Sequence, residues 1–341
     1  MTASTRQILV TGAAGFIGRH TARACAEAGY AVTGVDHRPA PPGFAPSARW
    51  LRGDCAEDSL IAEIAGGRYT AVVHQAGISD TRAPDAPHLN EANVHVPLRI
   101  AQACRRSGTR LIYASSHSVY GHLHARRPIA EASATDPARC SGPLNPYARS
   151  KLALDQAMQA QHGGSPLRWV GLRYTNVCGH DETDKGTMAS IATQLVRQAA
   201  ASGRVRVFAD TLLAARDYIA VGAVTSTIVQ LLTADVPSRV YNLGSGHAVT
   251  FAELLQWCAL WLGGEQPLHV DLLPNPAAAA YQYFTCADMT SLAHALPDRP
   301  ATTAADIHDL LGGLFMTLRQ AGRSPRRGTF AVTGTQPTLL G

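Results

Sequence analysis

The glycine-rich segment at residues 12–18 constrains the fold more than any other feature of the chain. It reads Gly-Ala-Ala-Gly-Phe-Ile-Gly and follows an apolar strand pattern at Gln7–Thr11, and a helical periodicity comes directly after it. Gly12 permits a tight turn, Gly15 lets the backbone approach a pyrophosphate, and Gly18 lets the helix pack closely on the strand. Because the helix N terminus then faces the phosphates, this strand–loop–helix unit predicts a dinucleotide site.

An acidic residue ends the second predicted strand, where a ribose-binding acid is expected. That strand spans Ala31–Val35, and Asp36 follows it at roughly the 20-residue spacing typical of such sites. Asp36 would accept hydrogen bonds from the two ribose hydroxyls of NAD, whereas Arg38 would neutralise the 2′-phosphate of NADP. The sequence therefore predicts a dinucleotide and leaves NAD and NADP both open.

Strand and helix patterns alternate through the first half of the chain. Further strands are predicted at Arg49–Arg52, Ala71–His74 and Arg110–Ala114, with helical stretches such as Glu91–Arg106 between them. This alternation predicts an α/β fold with a Rossmann-type doubly wound parallel sheet. After Asn176 the pattern is less regular and predicts a smaller C-terminal α/β substrate lobe, with strands near Val205–Phe208 and Val240–Asn242 and helices near Met188–Ala201, Thr250–Trp261 and Thr303–Leu318.

These patterns divide the chain into three expected parts. Residues 1–175 would form the dinucleotide-binding domain, to which later strands return, and residues 176–322 would form mainly the substrate-binding lobe. Residues 323–341 lack periodicity and are expected to be a flexible tail.

Composition excludes several classes of protein. Of 341 residues, 46% are apolar and 16% charged, which suits a buried core and not a disordered chain. The net charge is +5, but the basic residues are scattered except in the run Arg323–Arg327, so nucleic-acid binding is not expected. No apolar run reaches the roughly 18–20 residues that a membrane helix needs, so no membrane partner is expected.

The cysteines point to a reduced, cytoplasmic protein. Seven are dispersed without a CxxC pair, and the N-terminal residues show no charged-then-apolar leader. Neither disulfides nor a metal site is expected. His122 and His124 are the nearest approach to a metal site, but without a nearby carboxylate or cysteine they are better interpreted as a polar loop.

A tyrosine and a lysine are expected on one face of a later helix. Tyr147 and Lys151 are four residues apart, so their side chains would be neighbours. A nearby ammonium favours the phenolate and would lower the pKa of Tyr147 from about 10, which would make it a base. Lys151 would also hold the nicotinamide ribose, and Ser116, at the end of the fifth strand, would bond both Tyr147 and a substrate oxygen.

Two further strand ends are expected to face the same dinucleotide. Asp54 follows the third strand, where it would bond the adenine amino group or cap a helix. Gln75, Ala76 and Gly77 follow the fourth strand, and their small size leaves room for a cofactor across the strand ends.

The motifs "TGAAGFIG", "SSHSVYG", "YARSK" and "RYTNV" together resemble the extended short-chain dehydrogenase/reductase family of sugar-nucleotide epimerases and dehydratases, over Gln7 to about Leu318. The resemblance implies a two-lobed enzyme with NAD or NADP, a nucleotide-diphosphate sugar as substrate, and a homo-oligomeric assembly. With the patterns above, it predicts cofactor contacts at Gly12, Gly15, Phe16, Ile17, Gly18, Asp36, His37, Arg38, Asp54, Cys55, Gln75, Ala76, Gly77, Ser79, Asn93, Tyr147, Lys151, Tyr174 and Val177.

One branch of that family, the ADP-heptose 6-epimerases, is the most similar. The stretch "DKGTMAS" resembles its "KGSMAS", whose lysine acts with the tyrosine, and Lys185 keeps the expected spacing from Asn176. Without the resemblance, the residues leave two interpretations of Lys185 open, a solvated charge in an acidic loop and a second acid/base in an active site. The predicted catalytic set is Ser116, Tyr147, Lys151 and Lys185, and the predicted substrate contacts are Ser116, Asn176, Thr187, Gln194, Phe208, Arg216 and Tyr281.

The predicted function is a nucleotide-sugar 6-epimerase that works by transient oxidation of an ADP-heptose-like substrate. Hydrogen leaves and returns while the exocyclic carbon turns about one bond, so the oxygen occupies two places and needs two proton-handling groups. The enzymatic alternative is a 4-epimerase of a UDP-hexose or UDP-hexuronate, for which the whole ring turns and no second base is needed. The non-enzymatic alternative is a catalytically dead protein that senses NAD(P).

Some positions depart from the family pattern. Cys178 and His180 replace a tyrosine and a proline, Ala223 replaces an acid, and Gln194 replaces a histidine of the heptose branch. Most of these lie near the expected substrate, so they bear on the identity of sugar and nucleotide more than on the fold. His117 and Ser118 stand where a 4,6-dehydratase carries an Asp-Glu pair, which disfavours dehydration.

Overall fold

A seven-stranded parallel sheet forms the centre of the structure, a computed structural model that describes residues 6–45, 47–82, 87–264 and 266–323. The strand order is β10-β6-β5-β4-β1-β2-β3. The described residues form the strands β1 Gln7–Thr11, β2 Ala31–Asp36, β3 Arg49–Arg52, β4 Ala71–His74, β5 Arg110–Ser116, β6 Trp169–Tyr174, β7 Asn176–Cys178, β8 Arg204–Phe208, β9 Ala215–Ala220, β10 Arg239–Leu243, β11 Ala248–Thr250 and β12 His269–Leu273.

Helices connect the strands and cover both faces of the large sheet. The α-helices are α1 Phe16–Glu27, α2 Asp58–Ala65, α3 Pro87–Asn90, α4 Val96–Ser107, α5 Pro146–His162, α6 Ile191–Ser202, α7 Val221–Leu231, α8 Phe251–Trp261, α9 Thr290–Ala295 and α10 Ala304–Arg323. A π-helical turn at Glu91–His95 leads into α4, and short 3₁₀ segments lie at His117–Tyr120, Glu131–Thr135, Glu182–Met188, Ala209–Thr211 and Ala278–Ala280.

The sheet is buried on both sides because the side chains of each strand alternate between two apolar layers. In β1, Ile8 and Val10 belong to one buried cluster and Leu9 to the cluster on the other face. Parallel strands covered by helices need apolar residues at every position, which explains the unbroken Ile-Leu-Val run of β1. The predicted Rossmann-type doubly wound fold is therefore confirmed.

Strand order reverses between β1 and β4, and a crevice lies at this point. The chain runs outward from β1 through β2 to β3, then crosses to β4 and continues through β5 and β6. In such sheets ligands bind beyond the carboxyl ends of the strands at the reversal point. Thr11 and His74, the last residues of β1 and β4, are paired there, so the loops after these strands border the crevice.

The C-terminal part adds two small sheets and its own apolar core. Strand β9 pairs with β7 in parallel and with β11 in antiparallel, and β12 pairs with β8. Helices α6, α8 and α10 pack on these strands around a separate buried cluster. Strand β10, although late in sequence, joins the large sheet beside β6.

Most elements predicted from the sequence lie where they were expected, with shifts at a few ends. Helix α10 extends to Arg323, past its predicted end at Leu318 and into the first residue of the predicted tail. Helix α6 begins at Ile191, not near Met188, because the Ser190 side chain caps it and the preceding residues form a 3₁₀ segment. The stretch predicted as one helix from Glu91 opens with the π-helical turn and becomes α-helical at Val96. The predicted tail at 323–341 falls outside the described residues from 324 onward. Within the described ranges, no helix is long and apolar enough to cross a membrane.

Candidate active site

A crevice of about 1550 Å³ opens at the carboxyl edge of the large sheet. The glycine loop, the ends of β4, β5 and β6, and the segment 182–191 border it. Most of the sequence-predicted site residues line it: Gly12, Gly15, Phe16, Ile17, Gly18, Asp36, His37, Arg38, Asp54, Cys55, Gln75, Ala76, Gly77, Ser79, Ser116, Tyr147, Lys151, Tyr174, Asn176, Val177, Lys185, Thr187, Arg216 and Tyr281.

In the glycine loop after β1, a side chain at Gly12 or Gly18 would clash with neighbouring backbone atoms. Gly12 has a positive φ of 64°, and a Cβ atom there would lie 2.6 Å from the backbone nitrogen of Ala76. A Cβ atom on Gly18 would lie 2.1 Å from the carbonyl oxygen of Gly12. The two glycines therefore let the loop pack against the β4 loop and start α1, whose N terminus faces the crevice. This geometry fits the pyrophosphate of a dinucleotide.

Asp36 is held at the end of β2 by hydrogen bonds from two residues. The backbone nitrogen of Ala14 donates to Oδ2 at 3.0 Å, and the Arg38 guanidinium donates to both carboxylate oxygens at 3.1 and 3.2 Å. Burial alone would raise the pKa of Asp36, but the hydrogen bonds from Arg38 and Ala14 outweigh it and lower that pKa. Asp36 is thus an ionised acceptor at the edge of the crevice, with a half-exposed cation directly beside it.

Asp54, in the loop after β3, does not cap helix α2 as one expectation had it, because the N-cap residue there is Glu57. The Oδ1 atom of Asp54 accepts a hydrogen bond from the Ala56 nitrogen at 2.9 Å, and its own nitrogen donates to Glu57 Oε1 at 3.0 Å. These bonds shape the turn before α2, and the residue also lines the crevice. Cys55 beside it is half-buried, and burial raises the pKa of its thiol to about 12, so it is an inert neighbour of the site.

Helix α5 presents Tyr147 and Lys151 to the crevice in successive turns. The helix starts where Asn145 Oδ1 accepts a hydrogen bond from the Ala148 nitrogen, and Pro146 occupies its first turn. Tyr147 lies opposite Ser116, whose Oγ also accepts hydrogen bonds from the nitrogen and hydroxyl of Ser118. A strand end and a helix start therefore bring the phenol and the serine together.

The expectation that Lys151 lowers the pKa of Tyr147 is wrong for this arrangement. Burial raises the pKa of the phenol, hydrogen bonding with Ser116 partly offsets that rise, and the nearby Asp155 carboxylate adds to it. The amino group of Lys151 points elsewhere and donates a 3.0 Å hydrogen bond to the Ala114 carbonyl oxygen. Sequence spacing set the correct helix face but could not show which atom the amine would contact.

The pKa of the Lys151 amine is strongly lowered. The amine is buried, and desolvation lowers its pKa to about 8, against the opposing effect of Asp155. His74, also buried, has its pKa lowered to about 3 by burial and by the charge of Lys151. Its Nδ1 atom forms a 2.8 Å hydrogen bond with Thr11 Oγ1, so His74 stays neutral and supports the loop after β4.

Lys185 lines the crevice from the 3₁₀ segment Glu182–Met188. Its Nζ atom lies 5.7 Å from the centre of the Phe16 ring, just after the glycine loop, and 3.9 Å from Glu182 Oε1. The Lys185 side chain is 34% exposed, whereas that of Glu182 is fully buried. The acidic run around Lys185 is therefore not only a solvated surface, because one of its carboxylates is part of the crevice wall.

The segment that carries Lys185 is docked on helix α1. Arg19 donates to the Asp181 carbonyl oxygen at 3.0 Å, and His20 Nε2 lies 3.1 Å from the His180 carbonyl oxygen. Asp181 adopts a positive φ of 67°, which turns the chain into the 3₁₀ segment. Helix α1 thus supports both the pyrophosphate cradle and the Lys185 segment.

Three predicted contacts do not line the crevice. The Asn93 side chain accepts a hydrogen bond from the Ile78 nitrogen and donates to the Ile78 carbonyl oxygen and to Ser150 Oγ, so it positions the loop after β4. Gln194 donates to the carbonyl oxygens of Thr187 and Ala189, and Phe208 packs edge-on to Tyr281 with ring centres 6.2 Å apart. Each of the three residues therefore contacts a residue that lines the crevice: Ile78, Thr187 or Tyr281.

The crevice lining includes a buried arginine. Arg216 is 8% exposed and lies over the rings of Tyr281 and Phe251, at 5.2 and 5.6 Å from their centres. It donates a hydrogen bond to the carbonyl oxygen of its neighbour Ala215, and burial lowers the pKa of the guanidinium. Among the described residues, no carboxylate lies within ion-pair distance of it, so it is available to an anionic ligand.

Glu182 is the residue that the sequence analysis missed. It accepts hydrogen bonds from Ser190 Oγ at 3.0 Å and from Thr193 Oγ1, at the start of helix α6. Burial raises the pKa of its carboxyl and outweighs the opposing effects of Thr193, Ser190 and Lys185. Its spacing of three residues before Lys185 was the available signal, but the acidic run concealed it.

The fold and the crevice define a dinucleotide-dependent enzyme of the Rossmann type, and a tyrosine, a lysine and a serine line its crevice. Residues 8–244 match the family described as "NAD dependent epimerase/dehydratase family", and the chain belongs to it.

Several solved structures are similar over nearly the whole chain. An ADP-L-glycero-D-manno-heptose-6-epimerase of Helicobacter pylori is 26% identical, with a TM-score of 0.78 over 91% of this chain and 96% of that one. MoeE5, solved with UDP-glucuronic acid and NAD, is 28% identical, with a TM-score of 0.76 over 92% and 99%. The UDP-glucose 4-epimerase of Thermus thermophilus, solved with NAD, is 25% identical, with a TM-score of 0.74 over 91% and 99%.

Proposed function

We propose that this chain is a nucleotide-sugar epimerase that oxidises its substrate transiently, and that it inverts the exocyclic C6 of a nucleotide-diphosphate heptose. The observation that carries the proposal is the placement of Lys185. It lines the same crevice as Tyr147 but comes from a different element, the 3₁₀ segment Glu182–Met188, whereas Tyr147 lies on α5. Two proton-handling groups that two separate elements bring to one crevice suit an oxygen that occupies two places.

The number and the placement of the lysines support a proton-transfer role for Lys185. The chain contains 28 arginines and only two lysines, Lys151 and Lys185, and both line the crevice. Elsewhere arginine supplies the positive charge. Arginine stays protonated in proteins, whereas a lysine amine can release and take up a proton. Two lysines kept only at the crevice are therefore expected if both serve proton transfer or the control of it.

The other residues take roles that follow from their contacts. Tyr147 would exchange a proton with the substrate oxygen in one of its two places, with Ser116 as the hydrogen-bonding partner of both. Lys185 would exchange the proton in the other place. Lys151 would hold the ribose edge of the cofactor, and Arg216 would pair with the substrate diphosphate. A bound nicotinamide supplies the acceptor that takes hydrogen from the carbon and returns it.

A 4-epimerase of a UDP-sugar is the second candidate. Similar structures include the UDP-glucose 4-epimerase and MoeE5 with UDP-glucuronic acid, at identities close to that of the heptose enzyme. Gln194, which replaces a histidine of the heptose branch, contacts the Thr187 carbonyl oxygen beside the crevice and also leaves the sugar open. In that reaction the ring turns as a whole, so Lys185 would be dispensable.

The test offers both substrate classes and follows the inverted carbon. Wild-type protein is incubated with ADP-heptose and with UDP-hexoses in deuterated water, and the products are resolved by NMR. We expect inversion at C6 of the heptose without solvent deuterium at that carbon. Deuterium at the inverted carbon would contradict transient oxidation, and turnover of UDP-hexoses alone would favour the second candidate.

Two substitutions at Lys185 sharpen the test. Lys185→Ala removes the amine, and Lys185→Arg keeps the positive charge but cannot release a proton at neutral pH. Both should lower kcat by about 10²–10⁴-fold, the usual contribution of a general acid or base, while bound cofactor is retained. Full activity of Lys185→Arg would mean that charge alone suffices and would refute the proton-transfer role.

A further inference from the structure

We propose that Glu182 is a positioning residue for Lys185: its buried carboxylate anchors the lysine amine to the N terminus of helix α6 and so holds it at the crevice wall. The inference rests on the proposed function of Lys185. Glu182 is the residue of the acidic run that meets both the lysine amine and the helix, so it links the two.

The carboxylate is firmly fixed on the helix side. The Glu182 side chain is fully buried, and both of its oxygens have donors. The Ser190 nitrogen donates to Oε1 and the Ser190 hydroxyl to Oε2, while Thr193 donates to Oε2 from the first turn of α6. The donors and the adjacent helix N terminus favour the ionised carboxylate, against the burial that raises its pKa.

The lysine is guided from the other side. Glu182 Oε1 lies 3.9 Å from Lys185 Nζ, and the Phe16 ring lies 5.7 Å from the same atom. Gly186, directly after the lysine, has a positive φ of 58°, so the chain turns sharply there. A long side chain on such a turn has many rotamers, and an ion pair with a buried partner restricts them. This restriction keeps the amine where a substrate oxygen can reach it.

Burial of the carboxylate distinguishes this pair from an ordinary surface ion pair. Exposed pairs usually contribute little, because water screens them and both side chains must be ordered. Here Glu182 is ordered already by α6, so only the lysine has to be ordered. The expected consequence is a loss of rate, and not of substrate affinity, when the carboxylate is removed.

The first experiment separates the two halves of the epimerisation. Each epimer is mixed with protein in a single turnover, and the absorbance of the reduced nicotinamide is followed. Lys185→Ala should slow the oxidation of one epimer only, the one whose oxygen faces Lys185. Glu182→Gln should slow the same epimer by about 10–100-fold, less than loss of the general base itself. A purely structural role would slow both epimers equally and would overturn the inference.

Glu131→Gln is the matched control. Glu131 is also a buried carboxylate, bonded to the Asn242 nitrogen at 2.8 Å and to Ser291 Oγ at 3.1 Å, and it does not line the crevice. Its variant should show no difference between the two epimers. If Glu182→Gln fails to fold, Thr193→Val loosens the same carboxylate from α6 and should slow the same epimer, whereas unchanged rates for both epimers would contradict the inference.

The second experiment needs no substrate. Because the chain has only two lysines and Lys151 is buried, an acetylating reagent followed by peptide mass mapping reports on Lys185. Glu182→Gln should raise the acetylation rate at Lys185 several-fold, since the amine is no longer held by the carboxylate. An unchanged rate would overturn the positioning role. If Lys185→Ala leaves both epimers unaffected while the acetylation rate does rise, the pairing stands and the proposed function of Lys185 fails.

Discussion

The guanidinium of Arg38 donates hydrogen bonds of 3.1 and 3.2 Å to the two carboxylate oxygens of Asp36, at the edge of the crevice where a ribose is expected. About half of the Arg38 side chain is exposed, so it can leave this pair without opening the core. The same two residues therefore present an acceptor for ribose hydroxyls and a cation for a ribose phosphate. The balance between them decides how strongly each form of the cofactor is bound.

Arg38→Ala should weaken NADP binding more than NAD binding. Loss of a charge-assisted hydrogen bond to phosphate costs about 1.5–3 kcal/mol, or roughly 10–100-fold in Kd, whereas the Asp36 contacts to NAD remain. The measurement is the ratio of the two dissociation constants by calorimetry. Arg49→Ala, on the neighbouring strand β3 with an exposed side chain away from the crevice lining, is the control and should leave the ratio unchanged. Equal losses for the two cofactors would exclude a phosphate contact by Arg38.

The buried amine of Lys151 predicts a pH-dependent stability. Its pKa is lowered from 10.5 to about 8 by burial, so between these values the unfolded chain holds a proton that the folded chain has released. Its contribution to the free energy of unfolding is therefore fully present above about pH 10.5 and is lost as pH falls through about 8.

Comparison with Lys151→Met isolates this contribution from other groups that titrate at high pH. Without cofactor, the variant should gain stability over wild type at pH 7, by an amount of order 1–3 kcal/mol, and the gain should shrink as pH rises to about 10. Thermal unfolding at the two pH values measures it. A constant difference across the range would show that the lysine is not desolvated.

Asn93 is predicted to act on the cofactor through a loop. Asn93→Ala would leave the polar groups of Ile78 and Ser150 without their partner, and we expect a loss of about 2–3 kcal/mol in the free energy of unfolding. Cofactor affinity should fall too, because Gly77 precedes Ile78 at the crevice. Asn90→Ala, on an exposed position just upstream, should change neither quantity. Weakened cofactor binding with unchanged stability would instead favour direct contact.

The local motifs were predictable from sequence because their geometry is set by chain neighbours. The strand–glycine–helix unit and the spacing of Tyr147 and Lys151 depend only on backbone periodicity, and both lie at the crevice as expected. The parallel sheet followed from alternating apolar strands and helices for the same reason.

Contacts made across the fold were not predictable. The sequence placed Asn93 on the cofactor, but a buried amide must satisfy its donors and acceptor, and the nearest partners come from Ile78 and Ser150. It also assigned Lys151 to the phenol of Tyr147, whereas the amine meets a carbonyl of β5. Glu182 stayed hidden because its importance comes from burial against α6, which no local pattern in an acidic run reveals.

Arg216 should contribute to substrate affinity and not to cofactor binding. Its buried side chain lies over the rings of Tyr281 and Phe251 and lines the crevice. Among the described residues it has no carboxylate partner, so a bound anion would offset the free-energy cost of burying its charge. Arg216→Gln should raise KM for a nucleotide-diphosphate sugar by about 10–100-fold, as expected for loss of charge-assisted bonds to phosphate. Arg216→Lys keeps the charge but cannot donate two parallel hydrogen bonds to a phosphate, so its KM should lie between that of wild type and that of Arg216→Gln. Steady-state kinetics measure KM, and the cofactor that copurifies with each variant provides the control. A lower kcat with unchanged KM would instead assign Arg216 to the reacting end of the crevice.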